Sequence, residues 1–163
     1  MELKDIQRIF LFRHFTFDGE GTLTDRGRVE LETAIIRLEL LKNKNLLMDI
    51  FASTQARAVE SALLLAKAWQ RTNINDHRIF TVNPLGGDTA SDREEALAEI
   101  LQKTSTREIV VVGHLEDLKH WPTFLAKKMS WNDAVLSPSL SEPIQTGTMI
   151  LFEFAVPSVT MIT

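Results

Sequence analysis

The sequence Ile9-Phe10-Leu11-Phe12-Arg13-His14 places four large apolar residues directly before two strongly polar ones. An apolar run this short is typical of a buried strand in an α/β sheet. In open α/β sheets, ligands bind at the carboxyl ends of the strands. A guanidinium beside an imidazole at that edge is suited to holding a phosphate and attacking its phosphorus. We therefore expect Arg13 and His14 to lie in the functional site.

Apolar runs and helical patterns alternate along the rest of the chain. Strands are predicted at 8–13, 48–52, 78–82, 109–112 and 148–154. Helices are predicted at 25–43, at 55–71, from Ser91 and at 116–128, and a polar loop at 137–143. This alternation predicts an α/β fold, a three-layer αβα sandwich with a mostly parallel central sheet whose last strand lies at or near an edge. No repeat or Pro/Gly-rich linker interrupts it, so we expect one domain over residues 1–163.

Composition narrows the class of protein. The 163 residues are 44% hydrophobic and 25% charged, as in ordinary soluble globular proteins. The chain has no cysteine, which excludes disulfides, thiolate metal sites and a cysteine nucleophile. With no apparent signal peptide, it fits the cytoplasm. No apolar run approaches the roughly 20 residues of a membrane span. The net charge of −4 argues against a nucleic-acid surface.

Polar side chains suited to a phosphate follow three of the predicted strands. Arg13 and His14 follow the first strand, Ser53 and Arg57 the second, and His114 the Val-rich fourth. Because parallel strands end at one edge of the sheet, we expect these side chains to converge on one cleft. Two arginines can bind phosphate oxygens, while one imidazole attacks phosphorus and the other donates to a phosphate oxygen. The set predicts a phosphoryl-transfer site that requires no metal.

Four segments together resemble the motifs of the histidine phosphatase superfamily. Arg13-His14-Phe15 matches two positions of its Arg-His-Gly motif, and Leu23-Thr24-Asp25-Arg26-Gly27 is similar to its Leu-Thr-x-x-Gly segment. Ser53-Thr54-Gln55-Ala56-Arg57-Ala58 resembles its Ser-Pro-x-x-Arg-Ala segment, and Val112-Gly113-His114 its second histidine motif. Order and spacing agree over most of the chain. The small size, short insertions and the segment 145–150 resemble the compact SixA-like phosphohistidine phosphatases.

The resemblance implies a phosphoglycerate mutase-like fold and a phosphatase mechanism through a phosphohistidine on His14. The residues that it implies for binding the substrate are Arg13, Arg57, His114, Thr24 and Ser53. Neither a metal nor an organic cofactor would be required. The substrate would be a phosphorylated protein, carrying phosphohistidine, or a small phosphorylated molecule, and phosphate or vanadate should bind in the cleft.

Two positions depart from the family pattern. Phe15 stands where the family has glycine, and it could narrow the pocket, form an apolar wall or abolish turnover, leaving a module that binds a phosphorylated ligand. Larger members carry a general acid after the third strand, where Asp88 is the nearest candidate, although a turn or helix-cap role suits it equally. A phosphohistidine substrate lessens the need for an acid, because its imidazole can leave neutral. The sequence therefore favours a phosphohistidine phosphatase over a phosphomonoesterase.

Overall fold

The protein, seen here in a computed structural model, is described at residues 1–41, 48–70, 79–132, 135 and 143–163. Six strands form one sheet: β1 (Arg8–Arg13), β2 (Asp49–Ser53), β3 (Ile79–Val82), β4 (Glu108–Gly113), β5 (Met149–Glu153) and β6 (Ser158–Ile162). Their order is β3-β2-β4-β1-β5-β6. The first four in that order are parallel, β5 is antiparallel to β1, and β6 is antiparallel to β5. The predicted mostly parallel sheet is confirmed.

Helices cover both faces of this sheet. They are α1 (Asp25–Leu41), α2 (Ala56–Gln70), α3 (Ala90–Lys103) and α4 (Leu115–Lys128). Successive side chains of a strand point to opposite faces. In β1, Phe10 and Phe12 pack in one core cluster with α1 and α2, whereas Ile9 and Leu11 pack in the other with α3 and α4. The predicted three-layer αβα sandwich is confirmed.

The sheet has one strand more than predicted, at the edge beside β5. The strand predicted at 148–154 is β5, and it lies one position inside the edge because β6 follows it in an antiparallel pair. This sixth strand was not predicted. Its residues alternate between buried Val159 and Met161 and exposed Thr160, as a half-buried edge strand requires.

Several element ends also differ by a few residues. The helix predicted from Ser91 begins at Ala90, because the Thr89 side chain accepts the backbone N–H of Asp92 as its N-cap. The helix predicted at 116–128 begins one residue earlier, at Leu115. Other predicted positions lie outside the described residues: 42–43, 71, 78 and most of the loop at 137–143. No helix in the described part of the chain is long and apolar enough to cross a membrane.

Backbone contacts join β1 to its neighbours just beyond its carboxyl end. The His14 N–H donates to the Gly113 carbonyl at 3.1 Å. From the turn before β5, the Gly147 N–H approaches the carbonyls of Arg13 and His14 at 3.2 and 3.3 Å. Gly147 has φ +75°, in the left-handed region that glycine tolerates best. The backbone around Arg13 and His14 is thereby fixed from both sides.

Candidate active site

A cleft of about 440 Å³ lies at the carboxyl edge of the sheet. Its wall includes Arg13 and His14 from the end of β1 and Arg57 from the first turn of α2. The loop after β1 and the start of α2 supply most of the rest, with Phe15, Thr16, Phe17, Asp18, Gly19, Gly21, Gln55, Ala56, Glu60 and Thr146. The structure thus brings three of the site residues predicted from sequence onto one surface.

The imidazole of His14 is held in one tautomer by its own neighbour. Its Nδ1 lies 2.9 Å from the carbonyl oxygen of Phe15. A carbonyl can only accept a hydrogen bond, so Nδ1 carries the proton and Nε2 keeps its lone pair. The residue is only 7% exposed. His14 therefore has the form that a nitrogen nucleophile requires, with a free lone pair on Nε2, the ring nitrogen that does not bind the Phe15 carbonyl.

Phe15 does not use the conformational freedom of the glycine that the family motif has there. Its side chain is fully buried in the core cluster that includes Phe12 and Ala58. Its N–H donates to Ser61 Oγ at 3.0 Å, and Ser61 donates to the Arg57 carbonyl at 2.7 Å. Among the described residues, positive φ outside glycine occurs at Ser130 alone. The phenyl ring thus packs beneath the turn and anchors it to α2.

His114 stands close to His14 at the end of β4. The two ring centroids are 5.3 Å apart, with the ring planes at 60°. His114 Nε2 lies 2.9 Å from Ser53 Oγ, which donates to the Leu85 carbonyl at 3.3 Å. Since the Ser53 hydroxyl has one proton, its oxygen accepts from Nε2–H. Ser53 is 1% exposed, so it positions His114 and does not form part of the cleft wall.

Asp117 fixes the backbone around His114, a role that the sequence analysis missed. One carboxylate oxygen accepts the His114 N–H at 2.8 Å, and the other accepts the Gly86 N–H at 2.9 Å. A Cβ on Gly86 would lie 2.6 Å from His114 Cδ2, so only a glycine fits against the ring. Burial raises the pKa of Asp117, while these two backbone donors lower it. An aspartate three residues after an N-cap is a capping signal that was readable in the sequence.

Charge and burial keep both imidazoles neutral near pH 7. Burial lowers the pKa of His14, and the charges of Arg57 and Arg13 lower it further. Burial, followed by His14, Arg57 and Arg13, lowers the pKa of His114 to about 4. Burial and the charge of Arg57 also lower the pKa of the Arg13 guanidinium. Arg13 and Arg57, next to the two rings, disfavour protonation of the histidines and favour an anion beside them.

Four predicted residues do not line this cleft: Ser53 and His114, described above, and Thr24 and Asp88. Thr24 caps α1: its Oγ donates to the Thr16 carbonyl at 3.0 Å and accepts the Gly27 N–H at 3.1 Å. Asp88 is exposed, and its carbonyl accepts from Arg93 at 3.2 Å in the turn before α3. The structure therefore places Thr24 in a capping position and Asp88 in a turn, outside the residues that line the cleft.

A larger cavity, of about 690 Å³, lies beside the cleft. It is lined by α1 and the segment 143–148, and it shares Thr146 with the cleft wall. Neither histidine of the site lines it. Chemistry rather than size therefore identifies the smaller cleft as the candidate active site.

No family model matches the sequence, and no curated protein matches it. Solved structures do match. The chain resembles a protein from Nakamurella multipartitia named as a phosphohistidine phosphatase SixA, with 15% identity, coverage of 96% and 94% of the two chains, and a TM-score of 0.63. It resembles a protein histidine phosphatase SixA complexed with tungstate, with 13% identity, coverage of 96% and 94%, and a TM-score of 0.60.

A phosphoglycerate mutase from Plasmodium falciparum also matches, with 19% identity, coverage of 96% and 88%, and a TM-score of 0.56. The fold is that of the SixA-type histidine phosphatases. The prediction of a phosphoglycerate mutase-like architecture is thereby confirmed. At these identities the likeness establishes the fold, and the chemistry must be argued from the cleft itself.

Proposed function

We propose that this protein is a metal-independent histidine phosphatase whose nucleophile is His14 and whose substrate is phosphohistidine in a protein. One observation carries the proposal: the Nδ1–H of His14 is bound to the Phe15 carbonyl at 2.9 Å, which leaves the Nε2 lone pair in a cleft that also contains Arg13 and Arg57. This is a neutral nucleophile beside two phosphate-binding cations.

The reaction proceeds in two displacements on phosphorus. The lone pair of His14 Nε2 forms an N–P bond as the bond from phosphorus to the leaving nitrogen breaks. If the other nitrogen of the substrate ring carries a proton, the ring leaves as neutral imidazole and no acid is needed. Water then attacks phosphorus, the electron pair of the N–P bond returns to Nε2, and the water proton leaves with phosphate. Arg13 and Arg57 stabilise the charge on the transferring group. His114, whose Nε2–H is given to Ser53, lies beside the ring of the nucleophile.

The position of Phe15 supports turnover over a silent binding module. A side chain buried beneath the turn does not obstruct attack at Nε2, and the carbonyl of the same residue sets the tautomer of His14. The fold comparisons support the same class, since a SixA with this fold was solved with tungstate, a tetrahedral oxoanion like phosphate.

The test is phosphate release from a phosphohistidine peptide and from p-nitrophenyl phosphate. We expect wild-type protein to act on the peptide in preference, and His14→Ala to lose release by at least about a thousandfold while remaining folded. The matched control is His120→Ala, which removes a histidine exposed on α4. Phosphate release that survives in His14→Ala would overturn the assignment of His14 as the nucleophile. A preference for p-nitrophenyl phosphate would overturn the assignment of phosphohistidine as the substrate.

A further inference from the structure

Glu30, on the inward side of α1, reaches the turn that carries the nucleophile. Its carboxylate accepts the Thr16 N–H at 2.9 Å and the Thr16 hydroxyl at 3.0 Å. It also accepts the Thr146 hydroxyl at 2.6 Å and Arg26 Nε at 3.0 Å. The side chain is 12% exposed. Both oxygens of this carboxylate are thus occupied by donors from the turn after β1, from Thr146 and from Arg26.

These contacts tie together the two segments that flank His14. Thr16 lies two residues after His14, and Thr146 precedes the glycine whose N–H approaches the His14 carbonyl. A Cβ on Gly147 would lie 2.8 Å from Glu30 Cβ, so the two segments are packed closely against α1. Glu30 is thus the point at which α1, the turn after β1 and the turn before β5 meet.

We propose that Glu30 is a positioning residue of the nucleophile, which holds the turn around His14 and supplies the negative charge that the ring needs when it becomes phosphorylated. The proposal rests on the proposed function for its kinetic consequence. Its structural part, a carboxylate that ties the turn after His14 to α1 and to the turn before β5, holds whatever reaction the cleft performs.

The charge has a specific use in the proposed reaction. His14 is neutral before attack, but its ring becomes cationic once Nε2 is bonded to phosphorus and Nδ1 keeps its proton. The attraction between Glu30 and the ring is therefore greater in the transition state and the intermediate than in the free protein. An interaction that strengthens in this way raises kcat more than it lowers KM.

Charged groups of both signs lie around His14. Arg13 precedes it on β1, Arg57 faces it from α2, and both lower its pKa, whereas Glu30 raises it. His114 also faces it, from the end of β4. Two further carboxylates, Asp18 and Glu60, lie on the cleft wall. Both of these are exposed, whereas Glu30 is mostly buried and is hydrogen-bonded to the turn itself.

The test is Glu30→Gln, which keeps the shape of the side chain and removes its charge. We expect kcat to fall roughly tenfold with KM nearly unchanged. The acidic limb of kcat/KM, which reports protonation of His14, should move to lower pH, because loss of a nearby negative charge lowers the pKa of an imidazole. The matched control is Glu32→Gln, exposed on the same helix, which should change neither quantity.

A second measurement separates this proposal from the proposed function. NMR titration of the His14 ring, assigned by its absence in His14→Ala, needs no turnover. We expect a lower His14 pKa in Glu30→Gln than in wild type and an intermediate value in Glu30→Asp, which retains the charge on a shorter side chain. An unchanged His14 pKa in folded Glu30→Gln overturns the proposal. If the wild-type protein is inactive but the His14 pKa is still lower in Glu30→Gln than in wild type, the proposed function alone is overturned.

Discussion

The two ends of the sheet bury polar groups in opposite ways. At the amino end, Arg8 of β1 forms an ion pair with Glu108 of β4, which is 1% exposed. Beside them, the buried carboxylate of Asp49 accepts from the Ser105 N–H at 2.7 Å and the Thr104 hydroxyl at 3.1 Å. Each of these charged groups has a partner within the fold, although the second carboxylate oxygen of Glu108 accepts no hydrogen bond from the described residues.

At the carboxyl end, like groups face one another. Burial and the charge of Arg57 lower the pKa values of Arg13, His14 and His114, and no described carboxylate forms an ion pair with either arginine. The buried Nε of Arg13 has no acceptor among the described residues. The amino end holds its buried ion pair within the fold, whereas Arg13 and Arg57 at the carboxyl end have no ion-pair partner among the described residues and are available to an anion.

Removing one partner of the Arg8–Glu108 ion pair should have the largest effect on stability. We expect Glu108→Ala to lower the free energy of unfolding by about 3–5 kcal/mol, because it leaves the mostly buried Arg8 without its counter-charge. Chemical denaturation measures the change. The control is the double replacement Arg8→Met with Glu108→Leu, which removes both charges and should recover most of the loss. If Glu108→Ala were as stable as wild type, the pair would not compensate that end.

The buried ring of Phe15 packs beneath the turn at the carboxyl end, so its removal should also lower stability. We expect Phe15→Ala to lower the free energy of unfolding by about 3–5 kcal/mol through the cavity that it leaves. Activity of the folded fraction should not rise above wild type. Phe17→Ala is the contrasting variant, since Phe17 is partly exposed on the cleft wall and should affect the KM more than stability. Increased turnover in Phe15→Ala would show that the phenyl ring obstructs the cleft.

Replacement of Arg13 tests whether the charged groups at the carboxyl end contribute to ligand binding rather than to stability of the fold. We expect Arg13→Ala to lower kcat/KM by about 10²–10³-fold, the usual effect of losing one donor to a transition-state oxyanion. Because Arg57 repels Arg13 and burial disfavours its charge, unfolding free energy should stay within about 1 kcal/mol of wild type. Arg107→Ala, an exposed arginine just before β4, is the control. A large loss of stability without loss of activity would reverse the assignment of the two ends.

The sequence predicted the parts of this comparison that depend on local pattern. The apolar runs of β1 and β4 are readable because strands buried on both faces are continuously hydrophobic. Arg13, His14 and Arg57 are readable because residues after parallel strands share one edge. The short run of β6 was missed because Ser158 and Thr160 interrupt its apolar residues, and only pairing with β5 explains them.

The contacts that organise the site were not readable in the same way. Glu30 meets Thr16 and Thr146 across 14 and 116 residues of sequence, which depends on how α1 is rotated against the sheet. The direction of Phe15 lies beyond the last paired residue of β1, where strand alternation no longer applies. Both follow from tertiary packing, which no local pattern encodes.

An oxoanion should supply the compensation that the carboxyl end lacks. At a tungstate or vanadate concentration a hundred times its Kd, we expect about 2.7 kcal/mol of stabilisation against unfolding. Thermal melts with and without the anion measure it, and Glu108→Ala should gain as much as wild type because its lesion lies at the other end. At the same anion concentration, His14→Ala and Arg13→Ala should gain less stability than wild type, because they bind the anion more weakly.

The pH dependence of that binding provides the sharpest distinction between the ends. Burial, Arg57 and Arg13 lower the pKa of His14 in the free protein, and a bound anion opposes the two arginines, so the His14 pKa rises in the complex. The complex then binds more protons than the free protein, and anion affinity must increase as pH falls through the His14 pKa of the complex toward the lower His14 pKa of the free protein. Calorimetry in two buffers of different ionisation enthalpy counts those protons. Proton uptake that persists in His14→Ala would place the titrating group elsewhere.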